Sequence, residues 1–167
     1  MIYKKLVTLE FVKSVLKYYP STGIFLWLKS GPGRKLKPGY VNSNGYLEIS
    51  LKNRHYPAHR LAWLYMTGKW PLETIDHINN NRMDNSWANL REATKHQQMM
   101  NKKMCKNNTT GFKGVSFDRV NKKYRAKIQQ HGKTKCLGRY SEAISAAQAY
   151  DLAAIEYWGE FAKLNFP

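Results

Sequence analysis

One stretch of the sequence, from Ile75 to Lys103, constrains the fold more than any other. It begins with a short apolar run that ends in the adjacent pair Asp76 and His77, and a loop rich in Asn and Asp follows. Asn89-Leu90-Arg91 comes next, and a polar segment of helical character starts at Thr94. This order predicts a strand, a long turn, a second strand and a helix.

An acid beside an imidazole, with amide side chains returning to the same place, has the residue types of a one-metal phosphodiesterase site. A carboxylate suits a hard divalent cation, and a neutral imidazole can accept a proton from water at about pH 7. A hydrogen-bonded surface pair is the plainer interpretation of Asp76 and His77, and Asn89 favours the catalytic one. His59 suits packing or a phosphate contact, while His96 is either a solvated helix residue or a substitute metal ligand.

Four pieces of this stretch carry a resemblance to a known family: Asp76-His77-Ile78-Asn79, Asp84-Asn85, Asn89-Leu90-Arg91 and Gln97. They resemble the HNH nucleases, in particular the phage and intron-encoded homing endonucleases. The resemblance implies a ββα-metal fold, a divalent metal (Mg²⁺, with Mn²⁺ as the alternative), His77 as general base and Asp76 as metal ligand. It also implies that Asn89 hydrogen-bonds the imidazole. The second ligand of the family, a helical Asn, is replaced here by Gln98, whose longer side chain holds Mg²⁺ less tightly.

The net charge predicts a polyanionic partner. Twenty-eight Lys and Arg against 11 Asp and Glu give +17, and binding to nucleic acid would release condensed counterions. An anionic membrane would instead require a basic amphipathic helix, and none stands out. We therefore expect a cytoplasmic monomer that binds double-stranded DNA, with no membrane contact and no small-molecule cofactor. Cys105 and Cys136 are isolated, which supports neither a disulfide framework nor a zinc knuckle.

The C-terminal part has the pattern of a small sheet and one helix. Strands are predicted at 112–117, 124–129 and 134–138, with a turn at His131-Gly132-Lys133. A helix follows over 142–158, with Ser141 as its N-cap and Gly159 at its end. Its many Ala residues would let the helix lie close against the sheet.

This part is similar to the plant ethylene-response-factor DNA-binding domain (the AP-two domain), through Gly114-Val115, Leu137-Gly138 and residues 124–128, 146–154 and 162–167. The resemblance implies a three-stranded sheet lying in the major groove of DNA. Strand parity turns Arg125, Lys127 and Gln129 outward. The family pattern adds Lys113, Ser116, Thr134 and Cys136, and Arg119 and Lys135 complete the predicted DNA-binding set. A solvated sheet face is the alternative interpretation of these residues.

The expected architecture is an α+β chain with an HNH region at 1–104, a linker at 105–110 and an AP-two-like domain at 111–167. The HNH region divides into a β-rich segment at 1–57, with a basic loop at 31–39 and an Asn44-Gly45 hairpin, and a core at 58–104. A helix over 58–67, ended by Gly68, opens that core. The predicted function is a metal-dependent DNA endonuclease. The alternative is a DNA-binding regulator that kept a nuclease-like scaffold, which the presence of Gln98 keeps open.

Overall fold

The computed structural model describes residues 7–29, 36–102, 104–105, 107–130 and 132–167. It is an α+β chain that divides into two compact units, Met1–Lys95 and His96–Pro167. We call these the first and second units. The α+β prediction is confirmed, whereas the linker at 105–110 and the ββα-metal arrangement stay predictions. Residues 31–35 of the predicted basic loop and His131 of the predicted turn lie outside the described residues.

Between Leu9 and Met100, the described residues form three helices and seven strands, together with a short 3-10 turn. In order they are α1 Leu9–Val15, β1 Leu16–Tyr19, β2 Ile24–Trp27, β3 Tyr40–Val41, β4 Leu47–Leu51, β5 Arg54–Pro57, α2 Ala58–Thr67, β6 Thr74–His77, the 3-10 turn Trp87–Asn89, β7 Leu90–Ala93 and α3 Lys95–Met100. The strands pair antiparallel as β1–β2, β3–β4–β5 and β6–β7. The first residue of α3 ends the first unit, and the rest of the helix belongs to the second.

Helix α2 supplies much of the core of the first unit. Its apolar residues recur at helical spacing, so Ala58, Leu61 and Ala62 share one face and are fully buried. Gly68 adopts the left-handed conformation and its N–H bonds the Leu64 carbonyl, which ends the helix where the sequence predicted. Around this face pack Val12, Leu16, Phe25 and Ile49.

The second unit is a three-stranded antiparallel sheet with one long helix. Strand order is β10–β9–β8, and the elements are β8 Val115–Asp118, β9 Lys123–Gln130, β10 Lys133–Tyr140, α4 Ala143–Trp158 and a final 3-10 turn Gly159–Phe161. Ala126 and Ile128 of β9 are buried, Ala126 with Ala146 and Ala147 and Ile128 with Tyr150 of α4. The predicted parity of β9 is therefore confirmed.

Two predicted boundaries of the second unit are wrong. Strand β8 begins at Val115 rather than Phe112, because the Val115 N–H turns back to the Phe112 carbonyl. The N-cap of α4 is Glu142 rather than Ser141, because extended backbone continues through Glu142 (φ −118°, ψ 145°). Within the described residues, no helix is long and apolar enough to cross a membrane.

Asp151 of α4 fastens the C-terminal segment to the second unit. Its carboxylate is buried and accepts hydrogen bonds from the backbone N–H groups of Asn165 and Phe166, at 2.9–3.0 Å. The side chain of Asn165 in turn accepts from the Lys113 N–H at 2.7 Å. The buried carboxylate of Asp151, together with Asn165, therefore joins α4, the C-terminal segment and the residues just before β8.

Candidate active site

The predicted catalytic pair, Asp76 and His77, lies at the end of β6 in the β6–β7 hairpin. The two predicted strands are confirmed. His77 ends β6 opposite Leu90, and Asp76 lies opposite Arg91. Both residues are buried, with 4% of His77 and 9% of Asp76 exposed. The Ile78 N–H bonds the Asn89 carbonyl, which closes the hairpin at the base of the loop.

Residues 78–89, the Asn-rich loop, are held by their own side chains. The Asn89 amide accepts from the Asn79 N–H at 2.9 Å and donates to the Asp84 carbonyl at 2.8 Å. The Asp84 carboxylate accepts from Ser86 and from the Asn79 amide, and these bonds, led by that of the Ser86 hydroxyl, lower the pKa of Asp84. Asn89 therefore fixes the shape of the loop, and its predicted bond to the imidazole stays a prediction.

Asn85 contacts the His77 ring, a role that the sequence did not reveal. Its side-chain oxygen lies 3.4 Å from His77 Nε2, and its amide nitrogen donates to the Met83 carbonyl at 3.2 Å. The second bond fixes which end of the amide faces the imidazole. Because an amide oxygen can only accept, Nε2 carries the proton, and in the neutral ring Nδ1 holds the lone pair.

The N-terminal hairpin β1–β2 holds Asn85 in place. The Tyr18 hydroxyl donates to the Asn85 carbonyl at 2.7 Å, and the Trp87 N–H bonds the Pro20 carbonyl at 2.8 Å. Gly23 (φ +70°) approaches so closely that a Cβ there would lie 2.3 Å from the Asn85 carbonyl carbon. Only glycine can occupy this position, since both the backbone angle and the space exclude a side chain.

Burial keeps both histidines of the site neutral. It lowers the pKa of His77, against the opposing effects of the Asn85 bond and the Asp76 charge. His59 of α2 lies edge-on to His77, with ring centroids 5.1 Å apart, and burial lowers its pKa to about 3. Among the described residues, His59 Nδ1 is buried without a hydrogen-bond partner. The candidate base therefore stands beside a second uncharged imidazole.

Asp76 pairs with Arg91 across the hairpin. One carboxylate oxygen, Oδ2, accepts from two guanidinium nitrogens at 3.0 and 3.1 Å. In the part of the chain that the structure describes, no three His, Cys, Asp or Glu side chains gather as a metal cluster. A buried carboxylate beside neutral imidazoles still fits a hard divalent cation chemically, with an amide oxygen as a further donor. Gln98, the predicted amide donor, lies on α3, and its role as a ligand stays a prediction.

The outward face of the second unit's sheet brings together most of the predicted DNA-binding residues. Cross-strand register places Ser116 and Arg139 beside Arg125, Cys136 beside Lys127, and Thr134 beside Gln129. Ser116, Lys127, Gln129 and Thr134 line a shallow groove of about 250 Å³. Arg139 also lies on this sheet face, although the sequence did not predict it there. A bulge between Cys136 and Gly138 shifts the alternation of side chains along β10.

Three predicted DNA-binding residues lie apart from this face. The Lys113 ammonium donates to the Met100 carbonyl at 2.7 Å, and burial lowers its pKa to about 8. Lys135 pairs with Ile128 in the sheet, and its ammonium donates to the Tyr157 hydroxyl of α4. Arg119 lies exposed in the turn after β8. The DNA contacts of all three stay predictions.

Comparison with known proteins identifies relatives for both parts of the chain. Residues 56–100 match the family model of HNH endonucleases. An uncharacterized HNH endonuclease of Acanthamoeba polyphaga mimivirus is 33% identical over 128 residues, 75% of this chain and 65% of that protein. Protein 3.8 of Escherichia phage T7 is 36% identical over 59 residues, 35% of this chain and 49% of that protein.

An AP2-like ethylene-responsive transcription factor of Arabidopsis thaliana is 38% identical over 66 residues, 34% of this chain and 22% of that protein. The chain thus spans less than two thirds of each of these relatives, and no solved structure matches it significantly. The predicted HNH resemblance is confirmed, and the AP-two domain stays a prediction. The segment that carries His59, Asp76, His77 and Asn89 is the segment that matches the HNH endonucleases.

Proposed function

We propose that this protein is a metal-dependent endonuclease that hydrolyses phosphodiester bonds in double-stranded DNA. The observation that carries the proposal is His77, a buried and uncharged imidazole on the β6–β7 hairpin whose Nε2 faces Asn85. It lies within the residues that match the HNH endonucleases. The net charge of +17 supports a polyanionic substrate.

His77 acts as general base through Nδ1. Because burial lowers the pKa of His77, its ring is unprotonated at neutral pH. Nδ1 takes a proton from water as the oxygen attacks the scissile phosphorus, while Asn85 holds Nε2–H and prevents the tautomer from changing. The Asp76 carboxylate favours the imidazolium that forms, as its charge raises the pKa of the ring.

By the family pattern, Asp76 and Gln98 are the residues that would hold a divalent cation, Mg²⁺ or Mn²⁺. When bound, the ion supplies charge stabilisation to the phosphate oxygens and to the leaving 3′-oxygen. Arg91 keeps one oxygen of Asp76 fixed, which orients the carboxylate. The outward sheet face of the second unit binds the DNA duplex, with Arg125, Lys127 and Arg139 as its cations.

Replacing His77 tests the proposal. With supercoiled plasmid and Mg²⁺ or Mn²⁺, His77→Ala should cut about 1,000-fold more slowly than the wild type, since one general base is lost. Its affinity for DNA in a gel-shift assay should stay unchanged, because the ring is buried. His55→Ala is the matched control, since His55 is exposed and bonds Ser50 away from the hairpin.

Two results would contradict the proposal. If the wild type leaves plasmid intact with either metal, the chain is a DNA-binding regulator on a nuclease-like scaffold. If His77→Ala loses affinity and cleavage equally, His77 acts in binding rather than in catalysis.

A further inference from the structure

Tyr46 links the two imidazoles to a part of the chain that the proposed mechanism does not use. It stands between the Asn44-Gly45 turn and β4, and its ring centroid lies 5.1 Å from that of His59 and 5.9 Å from that of His77. The ring is half-buried, so one side of it packs against the histidines and another remains open. Tyr46 therefore borders the candidate site on its solvent side.

Arg82 covers this ring. Its guanidinium carbon lies 4.9 Å from the Tyr46 centroid, and one of its nitrogens donates to the Asn44 carbonyl. These two contacts join the Asn-rich loop to a hairpin turn 38 residues earlier in the chain. A guanidinium packed over an aromatic ring keeps its N–H groups as hydrogen-bond donors. Arg82 is exposed, so solvent reaches its side chain.

Within the described residues, the charge of Arg82 lies away from acidic side chains. Among the residues that the structure describes, Arg91 pairs with Asp76 and Arg139 pairs with Asp118, whereas Arg82 has no carboxylate within salt-bridge distance. The guanidinium is close enough to His77 to oppose protonation of that ring. A fixed, exposed and uncompensated guanidinium at the rim of a site for phosphodiester chemistry suits a bidentate contact to phosphate oxygens.

We propose that Arg82 is a substrate-binding residue that grips a backbone phosphate of DNA beside His77, and that Tyr46 positions its guanidinium. This inference rests on the proposed endonuclease function and adds the group that receives the phosphate. Arg82 neutralises phosphate charge as the water attacks. Together, Tyr46 and Arg82 set the distance between the bound phosphate and the imidazole. A purely structural role would need only the hydrogen bond to Asn44.

The test measures single-turnover cleavage of plasmid at saturating enzyme, where differences in affinity do not affect the rate. Arg82→Ala should cut about 100-fold more slowly than the wild type, since a fixed donor to the reacting phosphate is lost. Arg82→Lys should recover part of the rate, because it keeps the charge and loses the fork. Tyr46→Leu should also be slow and Tyr46→Phe close to the wild type, because the ring and not the hydroxyl supports the guanidinium.

Arg54→Ala is the matched control and should cut at the wild-type rate, since Arg54 is exposed at the opposite end of β4 from Tyr46. His77→Ala is measured alongside to separate the two proposals. If His77→Ala is inactive while Arg82→Ala cuts at the wild-type rate, the role of Arg82 is refuted and the endonuclease stands. If Arg82→Ala slows cleavage but the loss is also seen in Arg54→Ala, the effect is general charge and the specific contact is refuted. Persistent cleavage by His77→Ala refutes His77 as the general base, and a wild type that leaves the plasmid intact overturns the proposed function itself.

Discussion

Lowering the pH should destabilise the first unit through His59, and the size of the effect follows from its burial. The usual pKa of 6.5 falls to about 3 in the folded protein because burial penalises the charged ring, with a smaller contribution from His77. The native state therefore keeps His59 neutral under conditions in which the unfolded chain takes up a proton. The stabilisation is complete above the unfolded pKa and is lost as the pH falls through the interval between the two values.

The expected loss can be worked out per pH unit. Below the unfolded pKa, each unit costs about 1.4 kcal/mol of unfolding free energy from one such group. Between pH 6.5 and 4.5, His59 alone should therefore remove about 3 kcal/mol. His77 acts in the same direction, because its pKa is also lowered by burial.

Urea unfolding of the wild type and of His59→Leu, at pH 7.0 and 4.5, isolates the contribution of His59. Tryptophan fluorescence reports mainly on the first unit, which holds four of the five tryptophans. The variant has no ring to protonate, so its free energy of unfolding should fall by about 3 kcal/mol less than that of the wild type. Carboxylates titrate equally in both proteins and cancel in the comparison. An identical loss in the two proteins would refute the assignment of a buried, neutral His59.

Two further predictions concern the second unit. In thermal unfolding followed by circular dichroism, Gly114→Ala should destabilise the second unit by several kcal/mol more than Gly111→Ala. Both glycines have φ near +77°. A Cβ at Gly114 would lie 2.0 Å from the buried Tyr150 ring, whereas a Cβ at Gly111 would meet nothing within 4 Å. Equal losses would show that backbone angle alone decides. Lys127→Ala should weaken DNA binding and reduce the slope of log affinity against log salt by about one; an unchanged slope would place the phosphate contact elsewhere.

Local signals explain which parts of the fold could be predicted from the sequence. Helix α2 has apolar residues at helical spacing and a glycine just past its end, and its bounds were predicted correctly. The Asn44-Gly45 turn and the strand ending at His77 are also local patterns, and both are confirmed. The N-cap of α4 was wrong because Ser141 has the right chemistry, but the backbone leaving β10 stays extended through Glu142.

The surroundings of His77 could not be predicted, because they are built by contacts far apart in the sequence. Asn85 was visible only as part of a motif, and its position depends on Tyr18, 67 residues away. His59 was predicted to pack or to contact a phosphate, and its ring lies against His77, a neighbour that the sequence did not identify. Arg139 was missed because strand parity holds only until a bulge, and the bulge is a property of the paired strands.

The burial of His77, the proposed base, also explains why the N-terminal hairpin belongs to the same unit as the candidate site. A buried imidazole loses water molecules as hydrogen-bond partners, so a fixed acceptor in the protein must set its tautomer. Asn85 can serve only if its backbone is immobile, and it lies on a loop that is held largely by its own side chains. The Tyr18 hydroxyl and the close approach of Gly23 supply that rigidity from outside the loop. In the proposed mechanism, residues 16–27 therefore act on His77 through Asn85. We expect a protein that lacks them to keep every motif residue and to lose the orientation of the proposed base.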